Sequence, residues 1–428
     1  MFKKPDKANL AGRRLEKPWL SLPALVFAGG LVATNVALAQ RQPSAALRQT
    51  TNVRFENGRR AAVIPFDFDD GAIVIQVRVN NSQPLKFFFD TGAGMSVVSA
   101  AQAANLQLRA AGKLNVTGTG GTVGGTIAAG LSLGVKGVTV LNQSVAVLSL
   151  DDFPCEARDI AGIIGYDFIK KFVVEIDYEA KVLRLVDPEN FHYEGNGVLL
   201  PLTIIRTPRV RAGIKPPGRA VIEGSFEIDT GHEGTMVINS PFVNRHKLLE
   251  SLGHGIPTTG RGIGGISRRT SARLENVQLG SYIVPSTVAG LSLATAGALS
   301  ATDNDGVIGN EVLQRFTVTL DYSSKRMWLE PNTHLTDAFA SDTSGLEIES
   351  GGDNCRVFKV TTVADKSPAA EAGIQPGDEL VAIHNVPAPQ FTLAQIYQLL
   401  TIEGAERSLK LKRANQSLTI RIKLRRLF

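Results

Sequence analysis

Asp90-Thr91-Gly92 and Asp229-Thr230-Gly231 place the same three residues twice in one 428-residue chain, each time after a short apolar run. Phe87-Phe88-Phe89 leads into the first aspartate and Phe226-Glu227-Ile228 into the second. Two carboxyls held in contact cannot both ionise cheaply, so they share a proton and titrate as a unit. Such a pair can take a proton from water while giving one to a carbonyl oxygen, which is hydrolysis without metal or covalent intermediate. Each tripeptide is followed by an apolar-apolar-Gly element, Ile163-Ile164-Gly165 and Val307-Ile308-Gly309. The interval from Asp to the first apolar residue is 73 residues in one copy and 78 in the other. A surface loop absorbs that difference at little entropic cost.

Beyond the glycines the copies stay in register without a gap. Phe172 and Phe316 follow at seven residues, Asp177-Tyr178 and Asp321-Tyr322 at twelve, Lys181 and Lys325 at sixteen, Leu185 and Leu329 at twenty. Duplication is the simplest account. Aspartates 139 positions apart can pair only if the two copies face each other, which places a substrate between them.

The elements that must position the acids are short strands and turns. In the first copy a run at Ala61 to Phe68 precedes the alternating Ile73 to Val79, a turn at Asn80-Asn81, and the hydrophobic Leu85 to Phe89 that carries Asp90 at its end. Ser96 to Ser99, a helix-like Ala100 to Leu106 and the glycine-dense Gly118 to Gly125 follow. The second copy repeats this order with Met236 to Asn239, a helical Pro241 to Leu249 and Gly260 to Gly265. Glycine runs between strands suit mobile hairpins that close over a bound chain, so Gly120, Gly121, Gly264 and Gly265 are flap candidates.

From about Gly345 the pattern changes. Ser367-Pro368-Ala369-Ala370-Glu371-Ala372-Gly373-Ile374-Gln375-Pro376-Gly377-Asp378-Glu379-Leu380 reads as an N-capped short helix, a glycine stop and a turn into a strand at Leu380 to Val386. A second helix, Leu393 to Leu400, and strands at Leu409 to Arg413 and Leu418 to Leu424 complete the chain.

Residues 61 to 331 resemble a bilobal aspartic protease of the retropepsin and pepsin type, and residues 341 to 428 resemble a PDZ domain. Together they look like the exported bacterial aspartyl proteases that carry a C-terminal PDZ domain. The resemblance implies a mainly β fold: two β-barrel lobes related by duplication, residues 61 to 190 and 197 to 331, followed by a PDZ domain of α+β, partly open-barrel type. It assigns the chemistry to Asp90 and Asp229, the cross-linking of their loops to Thr91 and Thr230, and close backbone approach to Gly92 and Gly231. Ile164, Gly165, Ile308 and Gly309 would support the aspartate loops from beneath. Gly345-Leu346-Glu347-Ile348 is similar to the PDZ loop whose N–H groups hold a peptide terminus while the peptide adds as a strand. The implied activity is an aspartic endopeptidase acting on extended polypeptides, with the PDZ domain recruiting or regulating; a silent peptide-binding protein or a PDZ scaffold is the alternative. The second copy departs from the family pattern at His232-Glu233, and an orientation of both toward solvent is the expectation.

Residues 1 to 18 carry six Lys/Arg against Asp6 and Glu16, residues 19 to 39 carry no charge, and Ala37-Leu38-Ala39 precedes Gln40. This outlines an export signal cleaved after Ala39, with an uncleaved membrane anchor as the alternative and a periplasmic or extracellular location expected. Residues 40 to 60 are polar and read as a linker or pro-segment. Of the formal +6, the first 39 residues hold +4, so nucleic acid is not an expected partner. A membrane is expected only if the N-terminal segment stays attached.

Cys155 and Cys355 fall in different domains, and their redox state is open from sequence. Gly130-Leu131-Ser132-Leu133-Gly134 matches a nucleophile elbow and Gly260 to Gly265 a dinucleotide fingerprint, but neither has the required strand-turn-helix context. The six histidines show no ligand spacing, so no metal or cofactor is expected.

Overall fold

Val74–Val79 and Ile222–Ile228 alternate buried and more exposed residues, the period-two pattern of a strand with one face in a core. In this computed structural model, which describes residues 52–68, 71–253, 255–339 and 342–428, the two runs occupy different positions in equivalent lobes. The expected signal or anchor and most of the expected linker lie outside the described residues. The last of that linker is a strand: Val53–Phe55 pairs with Val138–Leu148, so residues 53 to 55 belong to the first lobe.

The lobes share one strand plan. In the first, Leu85–Phe89 runs parallel to Ile160–Ile164, which pairs antiparallel with Val97–Ser99. Val97–Ser99 in turn runs parallel to Val138–Leu148. In the second, Ile222–Ile228 runs parallel to Gly306–Ile308, which pairs antiparallel with Met236–Ile238, itself parallel to Val288–Ser292. The chain thus leaves the aspartate strand, turns, and returns with another strand inserted between. That crossing forces the aspartate loop and the apolar-apolar-Gly element to lie against each other.

Local sequence sets the short helices. Ser99 caps Ala100–Asn105 through its side chain. The single helix expected at 241–249 is two, Ser240–Arg245 and Leu248–Ser251, because Lys247 adopts a left-handed φ of 50° between them.

The in-register repeat after each glycine builds a six-stranded sheet joining the lobes. Val173–Asp177 pairs antiparallel with Phe316–Asp321, Val173 opposite Asp321 and Ile176 opposite Val318. Lys181 and Lys325 take matching left-handed turns, φ 52° and 54°, into Val182–Val186 and Arg326–Pro331. Phe172, Phe316, Leu185 and Leu329 are buried in the one core that runs through both lobes.

The C-terminal module has its own core, including Leu346, Ile348, Phe358, Ile396 and Leu411. Its sheet runs Leu346–Gly351, Val357–Val363, Glu379–Ile383, Glu406–Arg413, Gln416–Lys423. Thr392 and Gln395 form a reciprocal capping box at the start of Leu393–Leu400. Asp378 of the Pro-Gly-Asp turn is buried and held by a fork from Arg413 at 2.6 and 2.7 Å. That bidentate pair makes the turn a structural lock rather than a bare reversal.

The two cysteines are joined. Cys155, in the loop before Ile160–Ile164, is bonded to Cys355, in the turn after Leu346–Gly351, across 200 positions. Beside it the Arg158 guanidinium donates to the Gly352 carbonyl at 2.7 Å. Closing a loop of that length removes conformational freedom from the unfolded chain. A Cys155→Ala/Cys355→Ala variant is expected to lose about 3–5 kcal/mol in urea unfolding. It should also lose the wild-type response to reductant.

Candidate active site

The loops after Phe89 and Ile228 are tied to each other by side-chain hydroxyls. Thr91 Oγ1 donates to the Ile228 carbonyl at 2.6 Å and accepts from the Thr230 N–H at 3.0 Å. Thr230 Oγ1 donates to the Phe89 carbonyl at 2.8 Å and accepts from the Thr91 N–H at 3.0 Å. Both threonines are buried, so all four bonds are shielded from water.

These bonds press each glycine against the opposite acid. A Cβ on Gly92 would lie 2.5 Å from Asp229 Cγ, and one on Gly231 would lie 2.3 Å from Asp90 Cγ. No side chain fits there. Asp90 Oδ1 accepts from the N–H groups of Gly92 and Ala93 at 2.8 and 2.9 Å, and Asp229 Oδ1 accepts from Gly231 N–H at 2.9 Å. Burial, then the charge of Asp229, raises the Asp90 carboxyl well above the usual carboxylate range. Asp229 is raised by burial but relieved by hydrogen bonds from Asp90 and from backbone N–H groups. Both carboxyls are thus pushed toward their protonated forms, and the pair titrates as one unit.

Gly165 and Gly309 serve close approach. A Cβ on Gly165 would meet the Ala93 and Met95 carbonyls at 2.7 Å, and one on Gly309 would meet the Gly234 carbonyl at 2.4 Å. Ile164 and Ile308 are buried beneath, and their carbonyls accept the Asp90 and Asp229 N–H groups at 3.0 Å each. In the first lobe Ser96 Oγ accepts from Gly165 N–H and donates to Asp167 Oδ1. In the second, buried Asn310 donates to the Thr230 and Gly71 carbonyls at 2.7 Å and accepts from the Tyr178 hydroxyl at 2.8 Å. Asn310 was invisible to sequence reasoning because the first copy has Tyr166 at that place; only the polar break in an otherwise matching repeat could have pointed to it.

Two hairpins roof the acids. Ala110–Thr117 with Thr122–Val135 forms one, Ile256–Gly262 with Gly265–Arg273 the other. Their tips meet, Gly120 N–H donating to the Ile263 carbonyl at 3.2 Å. Contact is glycine to glycine: a Cβ on Gly120 would lie 2.4 Å from Gly265, and one on Gly264 2.6 Å from Gly121. The elbow-like Gly130 to Gly134 lies within the strand Thr122–Val135, and Gly260 to Gly265 within the second hairpin. Between acids and roof lies a cleft of about 1880 Å³.

His232 departs from the solvent-facing expectation. It is half-buried, lines the cleft and lies against Gly309. Burial, aided by nearby Arg269, pushes its imidazole down to about 3, so it is neutral over the working range of an acid pair. Glu233 is exposed at the cleft wall. Another cleft carboxyl, Glu227, lies two residues before Asp229. Burial and then Asp229 raise it to about 7 against a bond from Thr207 at 2.7 Å and the nearby Arg209. Among the described residues no group of His, Cys, Asp and Glu could hold a metal ion, and no helix is long and apolar enough to cross a membrane.

A family model for aspartyl proteases matches residues 75–168, and one for PDZ domains matches residues 359–413. The chain carries an aspartyl protease domain and a C-terminal PDZ domain. No curated protein matches it. The protease match falls within the Asp90 lobe and includes Asp90 and Gly165, and the Asp229 lobe repeats its strand plan. In the PDZ domain, Gly345 to Ile348 lie upstream of the matched residues, at the start of the edge strand.

Thr91→Val removes two of the four cross-loop bonds and strands the Ile228 carbonyl and Thr230 N–H. It should cost about 2–5 kcal/mol in urea unfolding, whereas Thr91→Ser should be near neutral. Glu227 gives a pH signature. Its carboxyl keeps its proton up to about 7 when folded and releases it near the ordinary 4.5 when unfolded. Between those values the unfolded state binds fewer protons, so stability present at pH 4.5 is lost as pH rises through 7. The loss is on the order of 3 kcal/mol. Glu227→Gln should flatten that part of a stability-versus-pH curve.

Proposed function

We propose that the protein is an aspartic endopeptidase that binds an extended polypeptide under its two flaps and hydrolyses a peptide bond with water activated between Asp90 and Asp229. The observation that carries this reading is the reciprocal Thr91–Thr230 bonding, which holds two half-buried carboxyls against each other in a roofed cleft. The ionised carboxyl of the pair takes a proton from water and the protonated one gives its proton to the scissile carbonyl oxygen. Thr91 and Thr230 spend their hydroxyls on backbone carbonyls and are not nucleophiles. The tip contact between flaps must open to admit a chain and can close over it.

The silent peptide-binding alternative rests on His232 beside the pair; the lowering of its imidazole by burial supports a neutral ring there and so favours the enzyme reading. The PDZ domain binds peptide and recruits or regulates. The basic, then uncharged, N-terminal stretch ending Ala37-Leu38-Ala39 supports export to the periplasm or beyond the cell.

Peptide cleavage read by mass spectrometry tests the dyad. Asp90→Asn and Asp229→Asn should each lower turnover roughly 10²–10⁴-fold. The wild-type profile should be bell-shaped in pH, because the mechanism needs one carboxyl protonated and one ionised. Retained turnover in either variant would remove the dyad assignment.

A further inference from the structure

The far wall of the catalytic cleft is the groove side of the PDZ domain. Leu346, Ile348 and Tyr397 line the same cavity as Asp90 and Asp229. The strand Leu346–Gly351 is the edge of its sheet, paired on one side with Val357–Val363. On its other side stands the helix Leu393–Leu400. There the Tyr397 hydroxyl accepts from the Ile348 N–H at 2.8 Å and donates to the Ile348 carbonyl at 3.1 Å. One hydroxyl makes both bonds that a neighbouring antiparallel strand would make to this residue. Tyr397 therefore stands in for a strand at an edge that needs a partner.

The loop before it is poorly suited to a free carboxylate. Asp342 Oδ1 accepts from Ser344 N–H and Gly345 N–H at 2.7 and 2.9 Å, and Ser344 Oγ accepts from Leu346 N–H at 3.1 Å. A terminal carboxylate would find most donors taken and the acids Asp342 and Glu347 beside it. The uncharged backbone of a continuing chain meets neither obstacle.

The edge strand is fixed to both sides of the cleft. Glu347 Oε1 accepts from the N–H and hydroxyl of Thr259 at 2.8 Å each, and Glu349 pairs with Arg261 at 2.6 Å. Both contacts fall on the flap strand Ile256–Gly262. The other end reaches the first lobe through Gly352–Arg158 and the disulfide.

We propose that the edge of Leu346–Gly351 is the outermost subsite of the catalytic cleft: a substrate chain held between the dyad and the flaps continues along this strand, displaces the Tyr397 hydroxyl, and is read as an internal extended segment. This rests on the endopeptidase reading and extends it from one cleft to a composite site. Six residues of strand add about 20 Å of contact. The substrates are long, unfolded or loop-borne chains rather than short peptides.

The test uses the full-length protein and one cleavable sequence in several forms: an eight-residue peptide, versions extended by about six residues at either end, and each extended version as the C-terminal amide. Extension at one end should raise kcat/KM about tenfold through KM, the value of one to two added edge hydrogen bonds. The amide should match the free acid. Tyr397→Phe, which clears the edge without changing the ring, should raise the long-to-short ratio further. No gain from extension at either end, loss of the gain on amidation, or a long-to-short ratio unmoved by Tyr397→Phe would each overturn the proposal. If no peptide is cut, the endopeptidase reading fails. The same comparisons, made as binding to the Asp90→Asn protein by fluorescence anisotropy, then decide the subsite separately.

Discussion

Four hydrogen bonds between Thr91 and Thr230 and the backbone of the opposite loop are the constraint on which the rest depends. They cross the pseudo-symmetry between lobes, so neither lobe can complete its own loop alone. Each hydroxyl both donates and accepts, a capacity a thiol or amide cannot match in that volume. Once those bonds form, Gly92 and Gly231 are forced against the opposing carboxyls, and any side chain there would push the pair apart. The central six-stranded sheet does at long range what the threonines do locally: it fixes the relative position of two cores so that the loops meet.

Burial then decides the electrostatics. Asp90, Asp229 and Glu227 are all pushed up by loss of water, and His232 is pushed down for the same reason. Each group thereby moves toward its neutral form. Around the pair, burial thus works against charge at Glu227 and His232 as well as at the two aspartates. Backbone N–H donors temper this at Asp90 and Asp229 by favouring the ionised carboxyl.

Much of this was legible because duplication writes each constraint twice. The Asp-Thr-Gly tripeptides, the apolar-apolar-Gly elements and the matched Phe, Asp-Tyr, Lys and Leu positions all sit in corresponding places in the two lobes. What sequence hid lies where the copies differ or where distance decides. Asn310 has no polar counterpart in the first copy, yet it braces Thr230 to Tyr178. His232 turns inward because it packs over Gly309, a contact between residues 77 positions apart. The Cys155–Cys355 bond spans 200 positions, and sequence carries no signal of such a separation. Lys247 broke an expected helix through one left-handed residue, a conformation Lys rarely signals.

The same distance-borne contacts change what the PDZ domain is. Read from sequence it is a C-terminal module that recruits or regulates, with nothing to say where it sits. Bonded to the first lobe through Cys155 and Arg158 and to the second hairpin through Thr259 and Arg261, it is a wall of the cleft that holds Asp90 and Asp229. Glu347 and Ile348 are neighbours on one strand, the first gripping the flap and the second facing the groove. Occupancy of the groove and position of the flap are therefore set by adjacent residues of a single stiff element. A chain that added to this strand would bear on the hairpin that roofs Asp90 and Asp229, with no separate path needed between groove and roof.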